Sequence, residues 1–192
     1  MSQIQRFAFC LFLGIITAPL LAVDRTVAEA VSAVNGERGI VVVLGLPSSD
    51  ATFVTRLAEH SELTVYFQSS DAAETKRVQA AAAAAGLLGR RVFVDTGDLG
   101  TIHLSHNVAD AVIVDATVAA QTSDAEVRRV MNPNATALIG DRHISKPVPE
   151  GADDWSHPYH GPDNNPQSED QLVRGNFQTQ FIADPKFSPM PE

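Results

Sequence analysis

Short apolar runs and amphipathic stretches take turns along most of this chain. Ile40 to Leu44 is an unbroken apolar run with a glycine on either side, the pattern of a strand buried on both faces. Before it, Val27, Val31 and Val34 fall at helical spacing, and the segment stops at Asn35-Gly36. After the loop Gly45 to Ser49, Asp50 is placed to cap a helix carrying Phe53, Val54, Leu57 and Ala58. Leu63 to Phe67 predicts a second strand. Asp71 followed by Glu74 predicts an N-cap and capping-box pair for a helix through Val78 and the alanines to Gly86. The run Ala80 to Ala85 reads as a strong helix former packing close to a sheet. Arg91 to Val94, Ala111 to Val114 and Ala135 to Ile139 predict three more strands. A short helix, Asp124 to Met131, has Val127 and Val130 inward. Strands alternating with helices predict an α/β domain over residues 23–144: a doubly wound, mostly parallel sheet of five strands with helical crossovers.

The pattern changes after Arg142. Ser145 to Gly151 holds Pro147, Pro149 and Gly151, a linker signature. From there to Glu192 the chain is rich in Pro, Asn, Asp and Gln, with isolated aromatics at Trp155, Tyr159, Phe177, Phe181 and Phe187 and no sustained helical period. Residues 145–192 are expected to be an irregular C-terminal extension, either a tail or the opening piece of something else.

The N-terminus changes the picture of where the chain acts. Arg6 supplies a positive charge, and Phe7 to Ala22 is uncharged and apolar until Pro19, with small residues at Ala18 and Ala22. That is the layout of a secretory signal peptide over residues 1–22, cleaved after Ala22; an uncleaved signal anchor is the alternative. Export to a periplasmic or extracellular space follows. Cys10, the only cysteine, lies inside this segment without the small preceding residue of a lipidated cysteine. The mature chain then has no thiol for a disulfide, a metal or nucleophilic catalysis. With 192 residues, of which 44% are hydrophobic, the chain can build a core, and its net charge of −9 with no basic run argues against nucleic acid and anionic lipid as partners.

Ligands of an open parallel sheet sit beyond the carboxyl ends of the strands. The sequence there is Val43-Leu44-Gly45-Leu46-Pro47-Ser48-Ser49-Asp50. Together with Thr96-Gly97-Asp98-Leu99 after the third strand and Val127 to Asn134 before the fifth, it resembles the class I S-adenosylmethionine-dependent methyltransferases, with a Rossmann-like fold. The resemblance covers roughly Val27 to Arg142. It implies cofactor contacts at Gly45, Gln68, Asp98 and Leu99. The departures from the family matter more. Pro47 and Ser48-Ser49 stand where further glycines are expected, and proline removes a backbone donor. Phe67-Gln68-Ser69-Ser70 has no carboxylate where the family binds the ribose hydroxyls, so Gln68 offers no charge-assisted bond. Asp98 can equally be a solvated turn residue, and Asp115 after the fourth strand can either line the cleft or cap the following turn. No aromatic-flanked Asn-Pro-Pro-Tyr type motif supports base methylation. The expectation is a fold without a bound cofactor and without catalytic residues. S-adenosylmethionine is the cofactor if the site works, in a divergent methyltransferase.

Two His-x-x-His pairs, His103/His106 and His157/His160, lack a third ligand at a diagnostic spacing, although Asp163 is near the second, and read as surface or structural. There is no Gly-x-Ser-x-Gly elbow, Walker loop or haem-attachment motif. Asn134-Ala135-Thr136 matches a glycosylation sequon at the turn into a strand expected to be buried.

The order Trp155, Gly161-Pro162-Asp163-Asn164-Asn165, then Ser168 is similar to the opening sequence of quinoprotein-like β-propellers, proteins that use or descend from binding of pyrroloquinoline quinone. The resemblance covers about Trp155 to Phe187 and implies a first strand at Phe177 to Phe181. No quinone or calcium ligand carries over, since the family's ligands lie in blades absent from these residues. A propeller-type domain or protein is therefore the expected partner. The chain itself is expected to be a methyltransferase-like structural or interaction module, with the N-terminal part of a quinoprotein-like oxidoreductase as a further alternative.

Overall fold

The computed structural model describes residues 38–163 and 165–172, together with residue 32. The signal segment with Cys10, the expected helix at Val27 to Val34 and the aromatics Phe177, Phe181 and Phe187 lie outside the described residues.

Six strands form one sheet in the order β3-β2-β1-β4-β5-β6. They are β1 Arg38–Leu44, β2 Glu62–Ser69, β3 Val92–Thr96, β4 Ala109–Val114, β5 Met131–Ile139 and β6 Arg142–Ser145. The first five are parallel, as the alternating pattern predicts. The sixth is an antiparallel hairpin partner of β5, pairing Thr136 with Ser145 through Ile139 with Arg142. Its sequence is too polar to announce a strand, with Ile144 its one apolar residue. The signal present was the Gly140-Asp141 turn, where Gly140 takes φ +55° between two β runs. The fifth strand also starts earlier than expected, at Met131, because a register shift sets Asn132 to Ala135 against Asp110 alone, between the pairs Ala109–Met131 and Ala111–Thr136.

Alternation along β1 divides the core in two. Val41 and Val43 face the helices α1 (Thr52–Glu59) and α2 (Ala72–Ala84), packing with Phe53, Leu57, Leu63, Val65, Phe67 and Val78. Val42 and Leu44 face the opposite way, toward Val112, Val114 and the residues Val127 and Val130 of α3 (Asp124–Val130). Of the alanine run in α2 only Ala82 is buried, so most of it lends helix propensity at the surface instead of packing on the sheet. The expected capping box is altered too. Asp71 accepts from the Ala73 amide at 2.8 Å, but Glu74 reaches the cap through Ser69, whose hydroxyl donates to Glu74 and accepts from the Asp71 amide at 3.1 Å. Asp50 serves α1 from one position before the N-cap, accepting from the Thr52 amide at 2.9 Å and pairing with Arg56 at 2.6 Å.

No helix links β3 to β4. Residues 97–108 form an irregular segment that nonetheless buries Leu99 and Ile102 in the second core layer. The described residues up to Pro147 form one compact unit and those from Val148 onward another. No helix among the described residues is long and apolar enough to cross a membrane.

Phe67 is fully buried at the centre of the first layer. Phe67→Ala is expected to lower the unfolding free energy by about 3–5 kcal/mol, read as a reduced urea midpoint.

Candidate functional site

The strand order reverses between β1 and β4, so the crevice beyond Leu44 and Val114 is where an open α/β sheet takes a ligand. Gly45 sits there with φ +71°, a conformation that favours glycine. Space confirms the requirement. A Cβ at this position would stand 2.7 Å from Cγ2 of Val118. Val118 arrives there because the chain turns sharply after β4. The Asp115 amide donates to the Leu44 carbonyl (2.9 Å) and the Val118 amide to the Asp115 carbonyl (3.1 Å). The Asp115 carboxylate accepts from the Thr117 amide at 3.0 Å and from its hydroxyl, so of its two expected roles it takes the cap of this turn. The close approach that Gly45 permits is thus made by the chain's own Val118.

The loop after Gly45 is equally self-contained. Leu46 is buried, and Pro47 opens a single 3-10 turn, Pro47–Ser49. The Ser49 amide donates to the Leu46 carbonyl and the Asp50 amide to the Pro47 carbonyl, both at 3.1 Å. The amide of Gly45 itself goes to the Gln68 carbonyl at 3.2 Å.

Gln68 occupies the place where a ribose-binding carboxylate is expected, but its side chain is fully buried and spent inside the protein. Its Nε2 donates to the carbonyls of Asp98 (2.8 Å) and Thr101 (2.9 Å). Its Oε1 accepts from the His103 amide (3.0 Å) and from the Tyr66 hydroxyl (3.2 Å). Both amide hydrogens are therefore used, and the oxygen takes the His103 amide and shares the single Tyr66 proton with Asp95, so this fully buried group has nothing left to meet a ligand. Leu99 is buried in the core, and Asp98 is exposed with its Oδ1 turned back onto the Gly100 amide at 2.7 Å. Gly45 and Gln68 meet through their backbones, while Asp98 and Leu99 belong to the segment that Gln68 holds in place.

A second group at this end of the sheet joins His103, which the sequence marked as surface or structural, to Asp95 and Tyr66, which it did not mark. Asp95, at the end of β3, accepts from His103 Nδ1 at 2.8 Å and from Tyr66 at 3.2 Å. The His103 ring lies so close over Gly97 that a Cβ there would collide with it. The hydrogen bond from His103 holds the Asp95 carboxyl below the usual carboxylate range, and burial, with the Asp95 charge, pushes the Tyr66 hydroxyl up. From the other side, Arg129 of α3 donates to the carbonyls of Leu104 (2.9 Å) and Ile102 (2.8 Å), and Glu126 accepts from the Ile102 amide (2.7 Å). The mutual bond between Glu126 and Arg129 lowers the carboxyl and raises the guanidinium. Period 2 in Tyr66-Phe67-Gln68 places Tyr66 and Gln68 on one face, the one signal that could have joined them. The partners across 30 residues carried none. Among the described residues no group of three His, Cys, Asp or Glu is arranged to hold a metal ion, and His103 is engaged as a structural histidine.

Two outcomes follow. Gln68→Ala strands two carbonyls and an amide, so it is expected to cost about 2–4 kcal/mol and to accelerate hydrogen exchange at the His103 amide. For Asp95 the folded state lowers the carboxyl below its ordinary 3.8, so its contribution is present above that value and is lost as pH falls through it. Acid titration of urea stability is expected to show a small loss below about pH 4 that is absent in Asp95→Asn.

No family model matches the chain, and no curated protein matches its sequence. Solved structures do. One, from Methanococcus maripaludis and named as an S-adenosyl-L-methionine-dependent methyltransferase, superposes with TM-score 0.51 at 17% identity, covering 64% of this chain and 56% of that one. Another, named as a sarcosine dimethylglycine methyltransferase from Galdieria sulphuraria, gives 0.52 at 16% identity over 61% and 45%. The [4+2]-cyclase SpnF gives 0.51 at 17% identity over 59% and 43%. The chain spans about half the length of these structures. What it shares with them is the fold: residues 38–147 form a methyltransferase-like, Rossmann-like α/β domain.

Proposed function

We propose that this methyltransferase-like domain is a non-catalytic structural or interaction module of an exported protein. The observation that carries the reading is Val118 lying against Gly45, which fills the approach a cofactor would need. The saturated, buried side chain of Gln68 and the internal use of the Ser49 and Asp50 amides support it further. Removing the glycine cradle and the ribose carboxylate forfeits several hydrogen bonds, at roughly 1–3 kcal/mol each. A protein fold outlives an activity readily, because function resides in the site.

Export is supported by the Met1 to Ala22 layout, and it places the domain away from the cytoplasm, where the methyl donor is made and kept. A propeller-type partner is supported by the Trp155 to Ser168 order alone. Reading the coding frame beyond Glu192 tests that partner: repeated four-strand segments favour it, and a stop codon counts against it.

Calorimetric titration of the mature protein with S-adenosylmethionine and S-adenosylhomocysteine tests the central claim. No saturable heat is expected up to about 1 mM ligand, whereas a Kd of about 10 μM would establish the divergent methyltransferase instead. N-terminal sequencing of the exported protein is expected to begin at Val23.

A further inference from the structure

Residues 148–172 are organised around one carboxylate. Asp153 Oδ2 accepts from His160 Nε2 (2.8 Å), from the Ser168 hydroxyl (2.9 Å) and from the Glu169 amide (2.7 Å), while its Oδ1 accepts from the Asp154 amide (2.9 Å). This side chain draws residue 169 to residue 153, and just outside it the Gln171 amide donates to the Gly151 carbonyl at 2.8 Å. His160 reaches Asp153 from a tight turn in which the Ser156 and His157 amides donate to the His160 carbonyl at 3.0 and 3.2 Å. At His160 the backbone takes φ +68°, a region that favours glycine, so the imidazole occupies a position that backbone strain alone would assign to another residue. The pair is sheltered, with each side chain only 15% exposed. The Trp155 ring packs on the His160 ring with centroids 5.4 Å apart.

We propose that His160 and Asp153 form a pH-sensitive clasp that holds the 153–169 loop closed in mildly acidic solution and loosens as the medium turns alkaline. The described groups facing His160 are Asp153 in contact, Asp163 and Glu169 farther off, the Trp155 ring, and His157 paired with it across the turn. The three carboxylates favour the imidazolium. The Asp153 bond first, then the three negative charges, raise the His160 pKa above its ordinary 6.5, and the His160 bond holds the Asp153 carboxyl down at about 2. The sign follows from both. His160 contributes fully below 6.5, and its contribution fades as pH rises through the raised value. Asp153 contributes above 3.8 and fails only as pH falls toward 2. The clasp is therefore tightest between about pH 4 and 6.5. Above that window the imidazole is neutral, so the ion pair is lost and a neutral N–H donating to the Asp153 carboxylate remains, a weaker closure.

Trp155 is the only tryptophan in the chain, so its emission reports this turn directly. A protonated imidazole quenches indole more than a neutral one. Emission of the full chain is expected to rise with pH in a single transition centred above 6.5. Asp153→Asn is expected to move the midpoint down, and His160→Gly to abolish it. His157→Gln, which removes the neighbouring histidine bonded to Ser156, is expected to leave it in place. Exchange of the Glu169 amide, corrected for intrinsic rate, is expected to speed up roughly three- to tenfold from pH 6 to pH 8. In His160→Gly it is expected to be fast at both pH values, although glycine relaxes the backbone there. Emission flat from pH 5 to 9, a midpoint unmoved by Asp153→Asn, a transition surviving in His160→Gly, or Glu169 protection retained in that variant would each overturn the clasp.

Discussion

The side-chain amide of Gln68 is the contact on which the sheet's second face depends. A doubly wound sheet ordinarily covers each face with crossover helices. Here β3 connects to β4 without one, and the cover on that side comes from α3 and an irregular segment. Such a segment cannot satisfy its own peptide groups as a helix does, so external partners must be supplied where Leu99 and Ile102 are driven inward. Gln68 supplies them for Asp98, Thr101 and His103, and the Glu126–Arg129 pair does so for Ile102 and Leu104. A carboxylate at position 68 could not do the same work. It would present oxygen to the Asp98 and Thr101 carbonyls, which need donors. The residue that reads as a lost ligand is thus also the residue that the crossover without a helix demands.

Closure of the neighbouring crevice follows the same logic. A turn that caps itself through Asp115 and Thr117 delivers Val118 onto Gly45, so the close approach that the glycine allows is made by a side chain of the domain itself. Fold and site separate cleanly here. The solved structures of similar fold differ among themselves in named activity, a methyltransferase beside a cyclase, at identities of 16–17%. Chemistry must therefore be argued from positions such as 45, 68 and 118, and not from the sheet.

Much of the fold was legible in the sequence because it is written in local periodicity. Ile40 to Leu44, Leu63 to Phe67 and Ala111 to Val114 are strands, and Gly86 ends α2 with φ +68°. The sixth strand escaped because Arg142-His143-Ile144-Ser145 gains its place from hydrogen bonds to β5 rather than from burial. The site was legible only as positions. Gly45 and Gln68 stood out by offset from the strands, yet nothing local announced that Val118 would fill the space beside one or that three peptide groups around residue 100 would consume the other. Those are contacts across 30 or more residues, and their partners (a valine side chain, two turn carbonyls and an amide) carry no local signature of the pairing.

Among the described residues two aspartate–histidine pairs close two loops, and their settings make them unequal. At Asp95 the bond from His103 is one of several constraints. The His103 amide is held by Gln68, its ring rests on Gly97, and Asp95 keeps Tyr66 and the Thr96 amide whatever His103 does. Loss of one charge leaves that segment fixed on the sheet. Around Asp153 the Ser168 hydroxyl, the Glu169 amide and His160 converge on the same oxygen, and none of the described residues of 148–172 belongs to a buried core cluster. A charge-assisted bond then carries a larger share of the closure, and the same pair of residue types that is structural in one unit becomes responsive in the other. Packing of the surrounding segment into a core, more than the chemistry of the pair, decides which loop follows pH.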